Sequence, residues 1–218
     1  MAKTSDAPTD RVRLRRLHER GSYDAASIHA ILDAMPLCTV GYVIDGHPHV
    51  TPTLQWREGD HIYWHGSSAS RMLRASNEAK VSLSVSILDG FVMARSGLHH
   101  SINYRSVMMF GTARKVTGPE QKELRIKNFV EGLFPGRWDI LRPATSQEIK
   151  ATTVLTMPID EASAKVRTGP PSDDEEDYAL PIWAGVIPVR TQVLAPEPDA
   201  RNLAGIEPPD HITDFSIG

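Results

Sequence analysis

Short extended segments joined by tight turns constrain the fold of this chain more than any other feature. Residues 37–44 are apolar and partly β-branched, Asp45-Gly46 follows them, and residues 49–56 read as a returning strand. An Asp-Gly pair between two such segments favours a two-residue hairpin. A second turn at 58–60 precedes a third strand at 61–65. Strands on turns this short indicate an antiparallel meander rather than alternating strands and helices.

Further strands are predicted downstream. They lie at residues 81–87, 91–95, 107–116, 154–166 and 183–189, with a turn at Asp89-Gly90. The first of them alternates apolar residues with serine, the period of a half-buried strand. Antiparallel strands in this number suggest a small closed barrel, because closure removes the exposed edges of an open sheet. The predicted fold class is mainly β, a β-barrel with inserted helices.

The inserted helices carry their own signals. Asp24 is a good N-cap residue, apolar residues recur at helical spacing from Ile28 to Met35, and Pro36 ends the helix. A short helix is predicted at 67–75 and a helical turn at 146–151. A longer helix follows Gly118-Pro119 and runs to about Leu133, with Leu124, Phe129, Val130 and Leu133 on its apolar face.

The sequence divides into three parts. Residues 1–21 are polar and are predicted to form a flexible N-terminal arm. Residues 22–190 form the barrel domain, with an acidic excursion at 170–180 whose five consecutive carboxylates repel one another. Residues 191–218 are rich in proline and are predicted to form an irregular C-terminal tail.

Composition excludes several classes of partner. The net charge of -3 provides no overall basic field, so we expect no nucleic-acid binding. No apolar stretch is long enough to span a membrane, and the first residues lack a signal-peptide core. Cys38 is the single cysteine, which rules out a disulfide within the chain and fits a reducing compartment. We therefore expect a cytoplasmic protein.

The segment 65–71 is the strongest candidate binding motif. It connects a strand to a helix and contains His65, Gly66, Ser67, Ser70 and Arg71. Gly66 permits close approach to the backbone, and free N–H groups at a helix start favour an anion. A cation in the first turn opposes the helix dipole, so Arg71 makes sense there if it faces a bound phosphate. A capped surface helix with a solvated arginine is the alternative.

Two other stretches carry polar groups that could form a site. Pro52 cannot donate to a ladder, so the strand at 50–54 is predicted to lie at an edge or to be irregular there, and its exposed backbone groups could bind a flat heterocycle. An ordinary edge strand is the alternative, and these residues alone favour it. His99 and His100 are adjacent and would point to opposite sides of an extended chain, and no carboxylate set accompanies them. We therefore expect no metal site. The glycine patterns of dinucleotide and nucleoside-triphosphate loops and of the nucleophile elbow are absent.

Taken in order, these motifs resemble the pyridoxamine 5′-phosphate oxidase-like superfamily, in the branch that includes nitroimidazole-resistance proteins. The resemblance covers about residues 11–190. It is carried by 23–32, 41–52, 65–71, 88–90, 100–107, 110–111 and 183–186. Two departures stand out, since Met72 follows Arg71 where the oxidase has a second basic residue, and 190–192 does not reproduce its C-terminal basic signature. The resemblance therefore does not extend to pyridoxamine phosphate oxidation.

The resemblance implies an FMN-binding split barrel that works as a homodimer, with FMN at the subunit interface. Ser67, Ser70 and Arg71 would hold the phosphate, and His65 and Gly66 would lie beside the ribityl chain. Val50, Thr51, Pro52, Thr53 and Leu54 would line the isoalloxazine ring. Tyr104, Arg105 and Ser106 would approach the flavin from the interface, and Trp183 would come near the ring from the partner subunit.

The expected activity is that of an FMN-dependent oxidoreductase acting on a small aromatic, nitro or quinone-like acceptor. No side chain is assigned as a catalytic residue. The alternatives are a non-enzymatic flavin carrier or redox sensor, or a split barrel that binds haem or deazaflavin. The histidines keep the haem alternative open.

Overall fold

The structure, a computed structural model, describes residues 7–217. Within that part of the chain ten strands occur: β1 Gly21–Ser22, β2 Leu37–Ile44, β3 His47–Glu58, β4 His61–Ser67, β5 Lys80–Met93, β6 Ser101–Thr112, β7 Arg114–Lys115, β8 Thr152–Pro158, β9 Glu161–Arg167 and β10 Gly185–Pro188. The α-helices are α1 Ala25–Ala34, α2 Arg71–Ser76, α3 Pro119–Leu133, α4 Ser146–Ala151 and α5 Asp210–Thr213. Short 3₁₀ turns lie at His18–Arg20, Gly97–His99, Trp138–Ile140 and Glu175–Ala179.

All strand pairs are antiparallel and form one curved sheet. The order is β1-β9-β6-β5-β2-β3-β4-β8-β7, and β10 pairs with β5. Consecutive neighbours β2, β3 and β4 form the predicted meander. The architecture is mainly β with a few helices, as the sequence predicts, and it is a split barrel.

The barrel interior is filled by alternate residues of the strands. Val81, Leu83, Val85 and Ile87 of β5 are buried, while the serines between them face outward or are half-buried. Helix α1 covers one end of the barrel with Ile28, Ile31 and Leu32. The single cysteine, Cys38, is buried here, and burial raises the pKa of its thiol to about 12.

Local signals predicted the helices well. Asp24 caps α1 by accepting a hydrogen bond from the Ser27 amide at 2.8 Å. Helix α3 starts at Pro119 and ends at Leu133, as predicted, and α4 matches the predicted turn at 146–151. Ser67 belongs to β4, and it is Ser70 that caps α2.

Two strand predictions were wrong. Asp89-Gly90 is not a turn, because β5 continues from Lys80 to Met93 through an irregularity in its pairing with β6 between Leu88 and Gly90. The segment 154–166 is not one strand but parts of two, because β8 ends at Pro158 and β9 begins at Glu161. A bulge and a turn can carry the same Asp-Gly sequence, and only the long-range pairing distinguishes them.

The buried face of α3 differs in part from the predicted apolar face. Leu124 is 42% exposed, and Ile126 packs inward together with Phe129 against a small cluster of Trp56, Tyr63 and Val154. This second cluster lies outside the barrel core, between α3 and the outer face of β3, β4 and β8.

The terminal segments and the acidic excursion partly pack on the barrel. Val12 is buried, and the Arg11 guanidinium pairs with Glu161 at 3.2 Å, while Met1–Asp6 lie outside the described residues. In the acidic excursion, Asp173 is not solvated as expected, because its side chain is fully buried and accepts hydrogen bonds from the Arg95 backbone and guanidinium. In the tail, residues 191–208 are exposed and irregular, and Phe215 packs on Phe134.

Among the residues that the structure describes, no helix is both long and apolar enough to cross a bilayer.

Candidate functional site

The sheet opens between β3 and β4. The two strands pair from Gln55 to Glu58 and from His61 to Trp64, with Gln55 opposite Trp64. At their other edges, β3 pairs with β2 and β4 pairs with β8. Residues 47–54 and 65–67 are therefore not hydrogen-bonded to each other. We call the opening between these two strand ends the cleft.

One wall of the cleft is the edge of β3 at Val50, Thr51, Pro52, Thr53 and Leu54. These residues pair with β2 alone, and within residues 7–217 no strand pairs with their other edge. The prediction of an edge strand is thus confirmed. Val50 is 71% and Leu54 41% exposed, so apolar side chains and unpaired backbone groups lie together at this edge.

The other wall is the connection from β4 to α2. Ser67 ends β4, and its hydroxyl accepts a hydrogen bond from the Ala69 amide at 3.2 Å. Ser70 caps α2 by accepting from the Leu73 amide at 3.4 Å. Both hydroxyls keep their own proton free to donate. Arg71 is exposed, and its guanidinium forms no ion pair with any carboxylate of the described part of the chain.

Gly66 and His65 point to opposite sides of β4. A Cβ at Gly66 would lie 3.2 Å from Leu73 Cδ1, so this position of β4 faces α2. The His65 ring instead contacts the rings of Trp56 and Phe129, with centroids 5.7 and 5.1 Å away. Its Nδ1 is buried without a hydrogen-bond partner among residues 7–217, and burial lowers the pKa of the ring.

An apolar cavity of about 510 Å³ lies beside this ring. Its lining includes His65, Ile126, Val130, Trp138, Leu141 and Ile149. The sequence identified His65 but not the cavity, because α3, the turn at Trp138–Ile140 and α4 are distant in sequence from β4. A neutral, desolvated imidazole at the wall of an apolar cavity is suited to ligate a metal-centred cofactor.

The remaining predicted site residues lie elsewhere on the barrel. Tyr104, Arg105 and Ser106 are on β6, which β5 and β2 separate from β3. The Arg105 guanidinium forms a bidentate pair with Asp89 at 2.9–3.3 Å, and this hydrogen bonding raises the pKa of Arg105. Its positive charge is therefore already balanced within its own chain.

Trp183 precedes β10 and is 68% exposed. Its indole lies over Gly185, where a Cβ would meet the ring at 3.0 Å. The predicted residues thus fall into two groups by their place in the sheet. Val50–Leu54, Gly66, Ser67, Ser70 and Arg71 lie on the two strand ends next to the cleft and on α2, whereas Tyr104, Arg105 and Ser106 lie on β6 and Trp183 lies just before β10, the two strands that pair with opposite edges of β5 at Phe91 and Val92.

One polar cluster corrects the expectation that no carboxylates accompany His99, because the acidic excursion brings two of them to it. Ligand atoms of His99, Asp173 and Asp177 lie within 4.8 Å of one another. The Arg95 guanidinium already neutralises Asp173 at 3.0 Å and lies over the Tyr178 ring, which accounts for the buried carboxylate. This arrangement fixes the acidic excursion to the end of β5.

Comparison with known proteins gives three informative structural matches. The flavocytochrome Anf3 from Azotobacter vinelandii is 52% identical, covers 98% of this chain and all of its own, and has a TM-score of 0.95. The FAD and heme binding protein from Mycobacterium smegmatis is 37% identical over 90% of this chain and 97% of its own, with a TM-score of 0.86. A candidate 5-nitroimidazole antibiotic resistance protein from Bacteroides thetaiotaomicron is 21% identical over 67% of this chain and 86% of its own. It shares the fold, with a TM-score of 0.54.

No protein with a curated description shows significant sequence similarity to the chain. The family model of pyridoxamine 5′-phosphate oxidase matches residues 24–166, which span the barrel from α1 to β9. The chain therefore belongs to the pyridoxamine 5′-phosphate oxidase family of split-barrel proteins.

Proposed function

We propose that this protein is a flavin-dependent oxidoreductase that works as a homodimer in the cytoplasm. The observation that carries the proposal is the cleft between the ends of β3 and β4. It combines an unpaired, partly apolar strand edge with a cationic, hydroxyl-lined turn. A flavin nucleotide has matching parts, a flat heterocycle with hydrogen-bonding edges and an anionic phosphate.

The residues of the cleft fit such a group. Arg71 would form charge-assisted hydrogen bonds with phosphate oxygens, since no carboxylate of the described residues competes for it. Ser67 and Ser70 would each donate a hydroxyl proton. Backbone groups of residues 50–54 would meet the ring edge, and their unpaired state means that no ladder bond has to break. His65 is turned into the apolar cavity, so we assign its backbone rather than its ring to the cleft.

FMN is the cofactor that the family resemblance implies, and we propose it as the first candidate. The relative from M. smegmatis is described as FAD-binding. The two flavins share the ring and the first phosphate, so the cleft is suited to either. A bound flavin supplies the redox chemistry, and the chain supplies position, electrostatics and exclusion of water. A small aromatic, nitro or quinone-like molecule is the proposed acceptor.

The dimer is supported by an apolar stripe across three strands. Ile187 is opposite Phe91 on β5, and Phe91 is opposite Ile102 on β6. All three side chains are 40–49% exposed. Contiguous exposed apolar side chains at the centre of a sheet are typical of an interface. Tyr104, Arg105, Ser106 and Trp183 border this stripe, which supports the proposal that they reach the flavin from the partner subunit.

Haem is a proposed second cofactor. The specific observation is His65, whose desolvated ring lines an apolar cavity of about 510 Å³. The lowered pKa keeps the ring neutral near pH 7, which is the state that ligates iron. The relatives at 52% and 37% identity are described as a flavocytochrome and as binding heme. A bound haem supplies one-electron chemistry, and His65 would hold its iron.

Titration of the purified dimer separates these proposals from the alternatives. FMN, FAD, deazaflavin and hemin are added in turn, and quenching of flavin fluorescence and the Soret band are followed. Binding of FMN or FAD and of hemin is the expected result. Uptake of deazaflavin alone would overturn the flavin assignment.

A second experiment distinguishes an enzyme from a carrier. Flavin-loaded protein is reduced anaerobically and mixed with a quinone or nitroaromatic compound. An oxidoreductase re-oxidises with a rate that saturates in the acceptor and continues over many cycles. A carrier or redox sensor re-oxidises no faster than free flavin.

A further inference from the structure

Helices α3 and α4 border a groove with two adjoining cavities. The first is the apolar cavity beside His65, and the second, of about 660 Å³, lies at the start of α3. Both are lined by Lys122, Ala144 and Ile149, so they meet at these residues. The two cavities form one continuous groove with chemically different ends.

The far end of the groove is cationic. Lys115, Lys122 and Lys150 line it, and Glu123 is the single carboxylate among its lining residues. Helix α3 begins here with Gly118 as N-cap, which offers no capping side chain, so the first-turn N–H groups stay open. The helix dipole adds a partial positive charge at this end. The groove therefore presents a positive field away from the histidine.

Lys122 lies at the junction. Its ammonium donates to the backbone oxygens of Ile149 and Thr152 at 2.5 and 2.8 Å. Two of its three N–H groups are thus used within the chain, and one stays available. Arg142, which borders the apolar cavity, is held by Glu148, so it adds no net charge to the groove.

We propose that the lysine end of this groove binds the carboxylates of an amphipathic planar ligand whose apolar part occupies the His65 end. This inference rests on the proposed haem function. The two propionates of haem are such carboxylates, and they would face Lys115, Lys122 and Lys150 while the macrocycle lies against α3. The groove would then select a dicarboxylate porphyrin over its uncharged ester.

The test compares hemin with hemin dimethyl ester, which keeps the macrocycle and the iron but lacks both charges. Each is titrated into the full-length protein and the Soret band is followed. Wild-type protein is expected to bind hemin more tightly than the ester. In the double variant Lys115→Gln/Lys150→Gln this preference should fall about fivefold, the combined loss expected of two exposed ion pairs.

Lys127→Gln is the control, because it removes a lysine charge from α3 at a position that lines neither cavity. It should keep the wild-type preference. An unchanged preference in the double variant, or no preference in wild type, would overturn the lysine assignment while haem binding stands. The absence of a Soret shift with either compound would overturn the haem proposal itself.

Discussion

The guanidinium of Arg71 carries a positive charge that no carboxylate of residues 7–217 balances, next to two hydroxyls with free protons. The charge of Arg105 is balanced instead, because the Asp89 carboxylate accepts hydrogen bonds from its guanidinium. At the scale of single residues, this contrast supports Arg71 over Arg105 as the proposed phosphate ligand. Arg105 is better suited to positioning the bend of β5 than to stabilising a ligand's charge.

Replacement of Arg71 by Ala should therefore weaken flavin binding. A charge-assisted hydrogen bond contributes about 1.5–3 kcal/mol, so the dissociation constant should rise roughly ten- to a hundredfold. Fluorescence titration with FMN and FAD measures it. Arg74→Ala is the control, since Arg74 is exposed one turn later on the same helix. Equal affinities of the two variants would contradict the phosphate assignment.

His65 should make the protein less stable as the pH falls. Burial lowers the pKa of its ring in the folded state below the value of about 6.5 in the unfolded chain. Below that unfolded-state value the unfolded chain binds a proton that the folded protein does not, so stability decreases with falling pH. His65→Phe keeps an aromatic ring against Trp56 and Phe129 and removes the titration.

Thermal unfolding of the cofactor-free protein between pH 7.5 and 5 measures this effect. The Tm of the wild type should drop more than that of His65→Phe, and the gap between them should widen towards pH 5. Parallel pH profiles of the two proteins would show that the ring is not buried in its neutral form.

At the scale of elements, α1 depends on its N-cap. Asp24 accepts hydrogen bonds from Ser22 and Ser27, and these lower the pKa of its carboxyl to about 2. Asp24→Ala should reduce the free energy of unfolding by about 1 kcal/mol near pH 7. The deficit should vanish as the pH falls from about 4 to 2, because the folded carboxylate then takes up its proton.

Chemical denaturation at pH 7 and at low pH checks this prediction. Asp174→Ala serves as the control, because Asp174 precedes a 3₁₀ turn without a side-chain capping bond. If Asp24→Ala loses no more free energy of unfolding than the control, the cap contributes nothing to stability.

The elements whose signals are local were predictable from the sequence. Asp24, Gly118-Pro119 and the alternation at 81–87 each determine structure within a few residues, and each is confirmed. Asp89-Gly90 is different, since pairing with β6 turns a potential hairpin into a bulge. The cavity beside His65 was beyond prediction for the same reason, because it forms only when α3 and α4 pack on β4 and β8.

At the scale of the whole molecule, two groups of predicted site residues lie on separate strands of one barrel. The cleft group is on β3, β4 and α2, and the second group borders the stripe of Phe91, Ile102 and Ile187. A homodimer that pairs these surfaces would bring the second group of one subunit to the cleft of its partner. The same dimer would cover the exposed apolar stripe.

Phe91→Glu should therefore disrupt the dimer. A charge at the centre of the stripe would have to be desolvated in the interface, at a cost of several kcal/mol. Sedimentation velocity at low micromolar concentration should show a monomer with weakened flavin retention. Leu98→Glu is the control, because Leu98 is 94% exposed and lies outside the stripe. A dimeric Phe91→Glu variant would remove the stripe from the interface.

At the scale of the whole molecule, we propose that one chain holds a flavin at the cleft and a haem at the groove. The most direct measurement is the absorption spectrum of the freshly purified dimer, followed by release and mass identification of its bound cofactors. We predict flavin bands together with a Soret band in the dimer fraction, and release of FMN or FAD together with haem. A dimer that carries no flavin and takes none up would contradict the central claim.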